Sequence, residues 1–411
     1  MIARALLAAT VAALVGAGSA SALTFTVNDT ADAVDVQPGD GYCVTAGGTC
    51  TLRAAVMEAD TANGSVVLVP KGRYVLTSKP FFEAGSITDM DAGNGDLDMT
   101  VNMTVRGAGA RRTTIDGGGL DRVFANLPGI ESIISDMTIT GGDSTGGGTS
   151  QEIAMGGAIF NMGTMTLERL RLIGNHADGG GAVFSIPLSH IDIRDSLIAG
   201  NTAVEGGGIR FDSGGLLENS TVTGNQLMTV PKAALLPDEL SGYGGGIDHR
   251  GGDDLTIVNS TIAGNHANKG GGGLATTQDY APTIEQIELG RVRLRNTIIA
   301  HNTSDAGNAN CRRKAQIIQS TGHNLDSDGT CELTDGTDLP GVDPRLRPLA
   351  FHGGPTETLA LRRRSPAIDA GGLLCSPADQ RGVKRPRRGA CDIGAYEYVP
   401  RKKQQRTRPR R

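Results

Sequence analysis

The amino-acid sequence predicts an all-β fold, a right-handed parallel β-helix with a short N-terminal capping helix and a disulfide-stapled C-terminal cap. Three observations predict it: a repeat of about 24 residues, apolar residues with a period of two inside each copy, and 60 glycines in 411 residues. Repeats this short cannot bury their own apolar side chains, so they must stack and share one core. Right-handed winding is the hand expected of parallel crossovers.

Residues 1–22 are typical of a secretory signal peptide. Arg4 precedes an apolar run from Ala5 to Ala17, and Ala20-Ser21-Ala22 matches a small-residue cleavage site. This run is shorter than a transmembrane helix, which needs about 20 apolar residues. We therefore expect a mature chain that starts at Leu23, is exported to an oxidising space, and is a monomer without a transmembrane span.

Residues 23–64 are expected to form an N-terminal cap, because the first rung of a solenoid otherwise leaves open strand edges. Cys43 and Cys50 bracket a glycine-rich loop, and 51–62 is the one convincing short helix, with Thr51 as its N-cap. Four apolar residues fall on one face of that helix. These are Leu52, Ala55, Val56 and Ala59.

Residues 65–305 are expected to form the rungs. Asparagines that precede the glycine clusters lie 26, 24, 40 and 37 positions apart, so two copies carry insertions, at 226–243 and about 275–290. Stacked rungs lie about 4.8 Å apart, so each amide can bond the backbone or the next rung. The expected structural ladder contains Asn175, Asn201, Asn225, Asn265 and Asn302.

Residues 306–400 are expected to cap the far end. Six cysteines allow many connectivities, and we adopt nearest-neighbour pairing: Cys43–Cys50, Cys311–Cys331 and Cys375–Cys391. A metal cluster is the weaker interpretation because no Cys-x-x-Cys spacing occurs.

Charge is divided unevenly along the chain. Residues 23–400 contain 44 acidic and 31 basic residues, and a body of this sign would repel nucleic acid. Tryptophan is absent, and six tyrosines and eight phenylalanines are too few for a core of large rings or for a rich platform that stacks bases or sugars. The tail, residues 401–411, holds seven Lys or Arg and no acid, so we expect it to be disordered, and the two interpretations are solvated charge and attachment to an anionic surface.

With these segments located, the chain resembles the secreted bacterial CSLREA-domain and choice-of-anchor Q proteins. At the N-terminal side, FTVNDTADAVDVQPGDGYC (25–43) and CTLRAAVMEAD (50–60) carry the resemblance. Ala54 stands where the family has glutamate, which removes the acid of a capping box but leaves the Thr51 cap. At the C-terminal side it is carried by HGGPTETLALRRRSPAIDAG (352–371), DQRGVKRP (379–386) and CDIGAYE (391–397).

The glycine-cluster repeats, with GGAIFN at 156–161, are similar to those of chlamydial polymorphic outer-membrane proteins. The resemblance implies a β-helix between the two ends and an extracellular or cell-surface location. It implies no shared catalytic site, because members of one fold differ in function.

Candidate residues for chemistry are few. Of the motifs typical of polygalacturonase-like hydrolases only an Asp-Asp pair is present, Asp253-Asp254, in a GGDD turn. Two carboxylates there are candidates for acid and base, and the alternative is a solvated turn.

A second acidic segment, DMDAGNGDLD at 89–98, alternates oxygen ligands with glycines as calcium loops do. It lacks the EF-hand spacing, so a solvated loop is the alternative, and no other cofactor is expected. The candidate calcium ligands are Asp89, Asp91, Asp96 and Asp98.

These observations favour a secreted or cell-surface, non-catalytic β-helix. Its lateral face and inserted loops would serve adhesion or contact with polysaccharide and other surface components. The alternative is a polysaccharide-degrading enzyme, a lyase or glycoside hydrolase, that uses acids and arginines on one face. A pure structural stalk is a third interpretation.

Overall fold

The computed structural model describes residues 22–80, 92–145, 154–228, 241–277, 290–307, 309–313 and 317–400. Within these residues the chain winds repeatedly through parallel sheets, and each circuit forms one rung. The same residues contain one helix, Leu52–Ala59, and every pairing between strands is parallel. The all-β parallel β-helix predicted from the repeats is confirmed. The predicted tail and most of the signal peptide and of the two insertions lie outside the described residues.

We number the four sheets in the order in which a rung visits them. Sheet 1 contains Thr24–Thr26, Ser65–Val69, Met103–Gly107, Glu131–Ser135, Thr164–Glu168, His190–Arg194, Gly214–Glu218, Leu255–Val258, Val292–Arg295 and Ile318–Ser320. Sheet 2 contains Gly72–Val75, Thr113–Asp116, Thr138–Thr140, Arg171–Ile173, Leu197–Ala199, Thr221–Thr223, Thr261–Ala263, Ile298–Ala300, Leu325–Asp326 and Leu339–Pro340. Sheet 3 contains Thr202–Ala203, Gln226–Leu227, His266–Ala267 and Thr303–Ser304. Sheet 4 contains Leu97–Met99, Phe124–Asn126, Ile159–Asn161, Val183–Ser185, Ile209–Phe211, Ile247–His249, Leu274–Thr276 and Cys311–Arg313.

The period of two in each repeat builds the core. In the sheet 1 strand His190–Arg194, Ile191 and Ile193 are fully buried, because alternate side chains of a strand point to the same face. Ile191 pairs with Met165 of the preceding rung and Ile193 with Leu167, so apolar side chains lie above apolar side chains. One apolar cluster therefore runs along the stack.

The corner between sheets 1 and 2 is a two-residue turn whose first residue has a positive φ. The φ values are 48° to 61° in six successive rungs, a conformation that aspartate and asparagine tolerate better than most residues. The six residues are Asp136, Arg169, Asp195, Asn219, Asn259 and Asn296. The turn explains why asparagine and aspartate recur at this position of the repeat.

The corner after sheet 2 holds stacked asparagines. Asn175 Nδ2 donates to Asn201 Oδ1 at 3.0 Å, and the same bond joins Asn201 to Asn225 at 2.9 Å. The series continues with distances of 2.9 Å through Asn265 and Asn302. Each inner amide also donates to a backbone carbonyl, as Asn225 Nδ2 does to Ile198 O at 3.0 Å.

The glycine clusters lie where consecutive rungs approach one another at the entrance to sheet 4. A Cβ added to Gly207 would lie 2.4 Å from the carbonyl oxygen of Gly245, and one added to Gly181 would lie 2.3 Å from that of Gly207. Only glycine fits such a contact.

At the N-terminal end, the helix Leu52–Ala59 lies over the first rung. Thr51 Oγ1 accepts a hydrogen bond from Ala54 N–H at 3.2 Å, which caps the helix. Arg53 is fully buried and its Nε lies 2.7 Å from Asp32 Oδ1. Thr24–Thr26 of the predicted cap is the first strand of sheet 1.

The region 306–400 has two parts. Cys311 and Cys331 are buried and joined by a disulfide at the last rung, and the other pairs are Cys43–Cys50 and Cys375–Cys391. Residues 341–400, which we name the C-terminal flank, run back along the corner between sheets 1 and 2. There Gln380 Oε1 accepts from Thr221 Oγ1 at 2.6 Å. The cap thus extends along the side of the stack.

Candidate functional site

Sheet 4 differs from the other sheets in the length of the connections that lead to it and from it. In regular rungs a short link joins sheet 2 to sheet 4, as at 174–182 between Arg171–Ile173 and Val183–Ser185. The links 76–96, 141–158 and 224–246 are at least twice as long. On the other side of sheet 4, the link 277–291 is at least three times as long as the same link in other rungs. Insertions in a solenoid commonly gather on its binding face, so sheet 4 is the candidate site.

The middle residue of each sheet 4 strand faces away from the core, because the first residue of each strand belongs to the core. The strand register aligns these middle residues in one outward row. From the N-terminal end the row reads Asp98, Ala125, Phe160, Phe184, Arg210, Asp248, Ala275 and Arg312. Aromatic rings and charged groups therefore share one face.

Two phenylalanines form the centre of this row. The rings of Phe160 and Phe184 stack with their centroids 5.7 Å apart and an angle of 8° between their planes. The guanidinium carbon of Arg122 lies 5.2 Å from the centroid of Phe160, and that of Arg210 lies 5.0 Å from the centroid of Phe184. A cation therefore contacts each end of the aromatic stack.

Next to the rings lies a network of charged side chains. Arg210 binds Asp212 through Nε at 2.8 Å and Nη2 at 2.7 Å, and its Nη1 lies 2.5 Å from Glu205 Oε2. Arg250 lies 2.9 Å from the same Glu205 oxygen and 2.7 Å from Asp248 Oδ2. All five residues are at most 7% exposed. Buried charges persist only when they are paired in this way.

The pairing also fixes the geometry of the network. Each of the three acids contacts at least one arginine. Bidentate contacts fix the orientation of the guanidinium plane. The network therefore supplies rigid, charged hydrogen-bonding groups.

His249 lies in the strand that also contains Asp248, but it points into the core. It pairs with Phe211 of the preceding rung and is fully buried. Burial lowers the pKa of His249 to about 4, and the backbone of Phe211 and the carboxylates of Asp212 and Asp254 oppose this only partly. His249 is therefore neutral at physiological pH. We did not predict His249 as a site residue, although the alternation of side chains along the strand Ile247–His249 places its imidazole inward.

The predicted calcium segment is only partly described. Asp89 and Asp91 lie outside the described residues. Asp96 and Asp98 are 2% and 1% exposed, and Asp96 Oδ2 lies 2.6 Å from Arg122 Nε. The expectation of a solvated loop is wrong for these two, because Asp98 lies in the first strand of sheet 4 and Asp96 pairs with an arginine beside it. Among the described residues, no group of three acidic, histidine or cysteine side chains is arranged to hold a metal ion.

The predicted acid pair lies in the turn from sheet 4 to sheet 1. Asp253 and Asp254 are both exposed. Asp254 Oδ2 lies 2.7 Å from Arg293 Nη2, and its Oδ1 accepts from Arg291 N–H at 2.8 Å. Asp254 thus joins two rungs. In the part of the chain that the structure describes, no ion pair connects either residue with the sheet 4 network.

A second cluster of acids lies on the outer face of sheet 1, beside the C-terminal flank. Burial, with Glu218 and Glu168 nearby, raises the pKa of Asp195 to about 6, against a hydrogen bond from Asn219 and the charge of Arg169. Ser376 of the flank donates a hydrogen bond to Glu218. Asp195 itself lies in the turn that follows the sheet 1 strand His190–Arg194.

Comparison with known proteins finds a similar solved structure but no family. No family model matches the chain, and no curated protein matches it. One solved structure, described as the crystal structure of pectate lyase Pel9A, is similar over 92% of this chain and 98% of its own, with a TM-score of 0.39 and 13% sequence identity. A search of the described residues finds no helix long and apolar enough to cross a membrane.

Proposed function

We propose that this protein is a secreted or cell-surface β-helix that binds polysaccharide through the outer face of sheet 4 and the insertions beside it. The observation that carries the proposal is the outward row, in which Phe160 and Phe184 stack between Arg122 and Arg210. The long connections border this same sheet.

The chemistry of the row suits a sugar polymer. The two faces of the Phe160 ring are occupied by Phe184 and Arg122, so an apolar C–H group of a sugar would contact the outward edge of that ring, and the sugar hydroxyl groups need donors and acceptors with fixed positions. Phe160 is half-buried, so part of its ring faces outward. The repeat spacing of about 4.8 Å between rungs also favours an extended partner that contacts several rungs at once.

Binding without catalysis is the version of this proposal that the ion pairs support. A catalytic acid or base must be free to lie within hydrogen-bond reach of the substrate. Glu205, Asp212 and Asp248 are instead paired with arginines. We therefore assign them to the positioning of Arg210 and Arg250.

The proposal includes export. Residues 1–22 would act as the signal peptide, and the three disulfides are typical of proteins that fold in an oxidising compartment. We also propose the predicted division into cap, rungs and cap at 23–64, 65–305 and 306–400, with membership of the CSLREA and choice-of-anchor Q group.

The experiment is a binding assay with a panel of neutral and acidic polysaccharides. Phe160→Leu keeps apolar volume but removes the ring, and it should weaken binding about tenfold or more, as loss of an aromatic anchor does. Ile133→Ala is the matched control, since Ile133 is 38% exposed on the outer face of sheet 1. Equal binding by Phe160→Leu and the unchanged protein, both with the same melting temperature, would overturn the proposal.

One observation favours a second candidate, a polysaccharide-degrading enzyme. The raised pKa of Asp195 beside Glu218 resembles the pairing of a protonated acid with an ionised carboxylate in glycoside hydrolases. This candidate predicts release of reducing ends from one polymer of the panel, and loss of that release in Asp195→Asn with binding retained. If the folded protein releases no reducing ends from any polymer of the panel, those polymers are not its substrates.

A further inference from the structure

The C-terminal flank carries a charge opposite to that of the rest of the protein. Residues 341–400 contain ten Lys or Arg and six Asp or Glu, whereas residues 22–340 contain 21 and 38. Three acids of the flank, Asp379, Asp392 and Glu397, are buried. In this fully described segment Asp343 is the one exposed acid. The exposed bases are Arg345, Arg347, Arg362, Arg363, Arg364, Lys384, Arg387 and Arg388.

Two adjacent leucines project from the same flank. Leu373 and Leu374 are 85% and 73% exposed, the highest values among the flank's large apolar residues. The disulfide Cys375–Cys391 joins their loop to the segment that follows Arg387 and Arg388. Gly371 N–H also donates to Cys391 O at 2.7 Å. The apolar tip and these two arginines therefore belong to one structural unit.

The other exposed bases belong to that unit as well. Arg362 N–H donates to Arg345 O at 3.0 Å, which holds the two basic segments together. Ile393 N–H donates to Ala367 O at 2.9 Å, and both residues lie in a small apolar cluster with Leu361. The same cluster contains Ile298, Ala300 and Leu325 of sheet 2, so it holds the flank against the stack.

We propose that the C-terminal flank is a docking surface for an anionic lipid bilayer. Exposed leucines in a segment whose exposed charges are almost all Lys and Arg have the composition of interfacial anchors, in which apolar side chains enter the headgroup region and bases contact lipid phosphates. The tail 401–411, with seven more Lys or Arg, begins where the flank ends. A soluble polyanion would satisfy the bases alone and would leave the leucines in water.

The position of the flank on the stack determines how the protein would be oriented on a bilayer. It lies on the corner between sheets 1 and 2, and neither sheet 3 nor sheet 4 borders that corner. Docking through the flank would therefore turn the outward row of sheet 4 away from the lipid. The acidic remainder of the chain, repelled by the same lipids, favours the same orientation.

Vesicle sedimentation with the full chain tests the proposal. The chain should bind vesicles of phosphatidylcholine mixed with phosphatidylglycerol and not vesicles of phosphatidylcholine alone. Arg362→Glu/Arg363→Glu/Arg364→Glu should weaken binding about a hundredfold. The matched control is Lys79→Glu/Arg291→Glu/Arg313→Glu, which reverses three exposed bases in sheet 4 or in the connections next to it, away from the corner that the flank follows, and should bind like the unchanged protein.

A second variant separates a bilayer from other polyanions. Leu373→Ser/Leu374→Ser should weaken vesicle binding about tenfold and leave binding to heparin unchanged. If both leucine residues are dispensable for vesicle binding, or if the two charge-reversal variants lose binding equally, the flank is not a lipid-docking surface. Because the tail is present in every variant, binding through the tail alone would also appear as equal binding by all of them and would overturn the proposal.

Discussion

Replacement of His249 by phenylalanine should remove much of the acid sensitivity of this protein. His249 has an unfolded pKa of 6.5 and a folded pKa of about 4, because burial disfavours its charged form. Between these values the unfolded chain binds the proton more readily, so stability falls as the pH decreases through this window. The gap corresponds to roughly 3 kcal/mol, almost all of it lost at pH 4. Phe211 at the same position of the preceding rung indicates that an aromatic ring fits there.

The assay is chemical denaturation of both proteins at pH 7 and at pH 4. Carboxyl groups titrate in the same range, but they do so in both proteins, so the difference between the two isolates His249. The free energy of unfolding of the unchanged protein, relative to His249→Phe, should fall by about 3 kcal/mol between the two pH values. A difference that does not depend on pH would refute the reasoning that burial holds His249 neutral.

Three further predictions concern stability. Burial raises the pKa of Asp392 to about 7, so the melting temperature of the unchanged protein, relative to that of Asp392→Asn, should fall as the pH rises from 5 to 8, and a difference that does not change with pH would contradict this. Gly207→Ala should lower the free energy of unfolding by about 2 kcal/mol or more, because the added Cβ would meet the Gly245 carbonyl. Gly336→Ala is the control: no atom lies within 4 Å of its added Cβ, so the free energy of unfolding should change by less than about 0.5 kcal/mol. Asn225→Ala should lower the free energy of unfolding by on the order of 3 kcal/mol, because it leaves the side-chain and backbone N–H groups of Asn201 without their acceptor. Urea denaturation measures this, and an unchanged midpoint would count against a structural role for the stacked asparagines.

The architecture follows from local rules that act on every rung, which is why the sequence predicts it well. The alternation around Ile191 and Ile193 fixes which side chains enter the core. The recurring Gly-Asn pairs mark one corner, and the stack goes on to Asn310, which accepts from Asn302 Nδ2 at 2.9 Å. The spacing did not reveal Asn310, because it precedes a sheet 4 strand and the other asparagines follow sheet 2 strands.

The candidate site was harder to predict because it depends on contacts between rungs. Phe160 and Phe184 lie in consecutive rungs, and nothing in either copy of the repeat shows that the two rings stack. Arg210 and Arg250 lie in different rungs and meet at Glu205, a pairing that no motif announces. The dipeptide Asp253-Asp254 is conspicuous in the sequence as an acid pair. Its position in the sequence does not show that Asp254 forms an ion pair with Arg293 of the next rung.

The path of the C-terminal flank also could not be read from the sequence. Its contacts with the stack are between residues more than a hundred positions apart, such as Thr221 with Gln380 and Arg171 with Glu357. The exposure of Leu373 and Leu374 likewise depends on how the flank folds over the last rungs, so their spacing alone does not separate them from core leucines.

The most direct test of the central claim is a crystal structure of the protein with an oligosaccharide of whichever polymer it binds most tightly. We expect sugar rings on the outer face of sheet 4, with one sugar at the outward edge of the Phe160 ring and hydroxyl groups near the arginines of the outward row. Oligosaccharide bound on sheet 1 beside Asp195, with sheet 4 bare, would contradict the account and favour the enzymatic alternative.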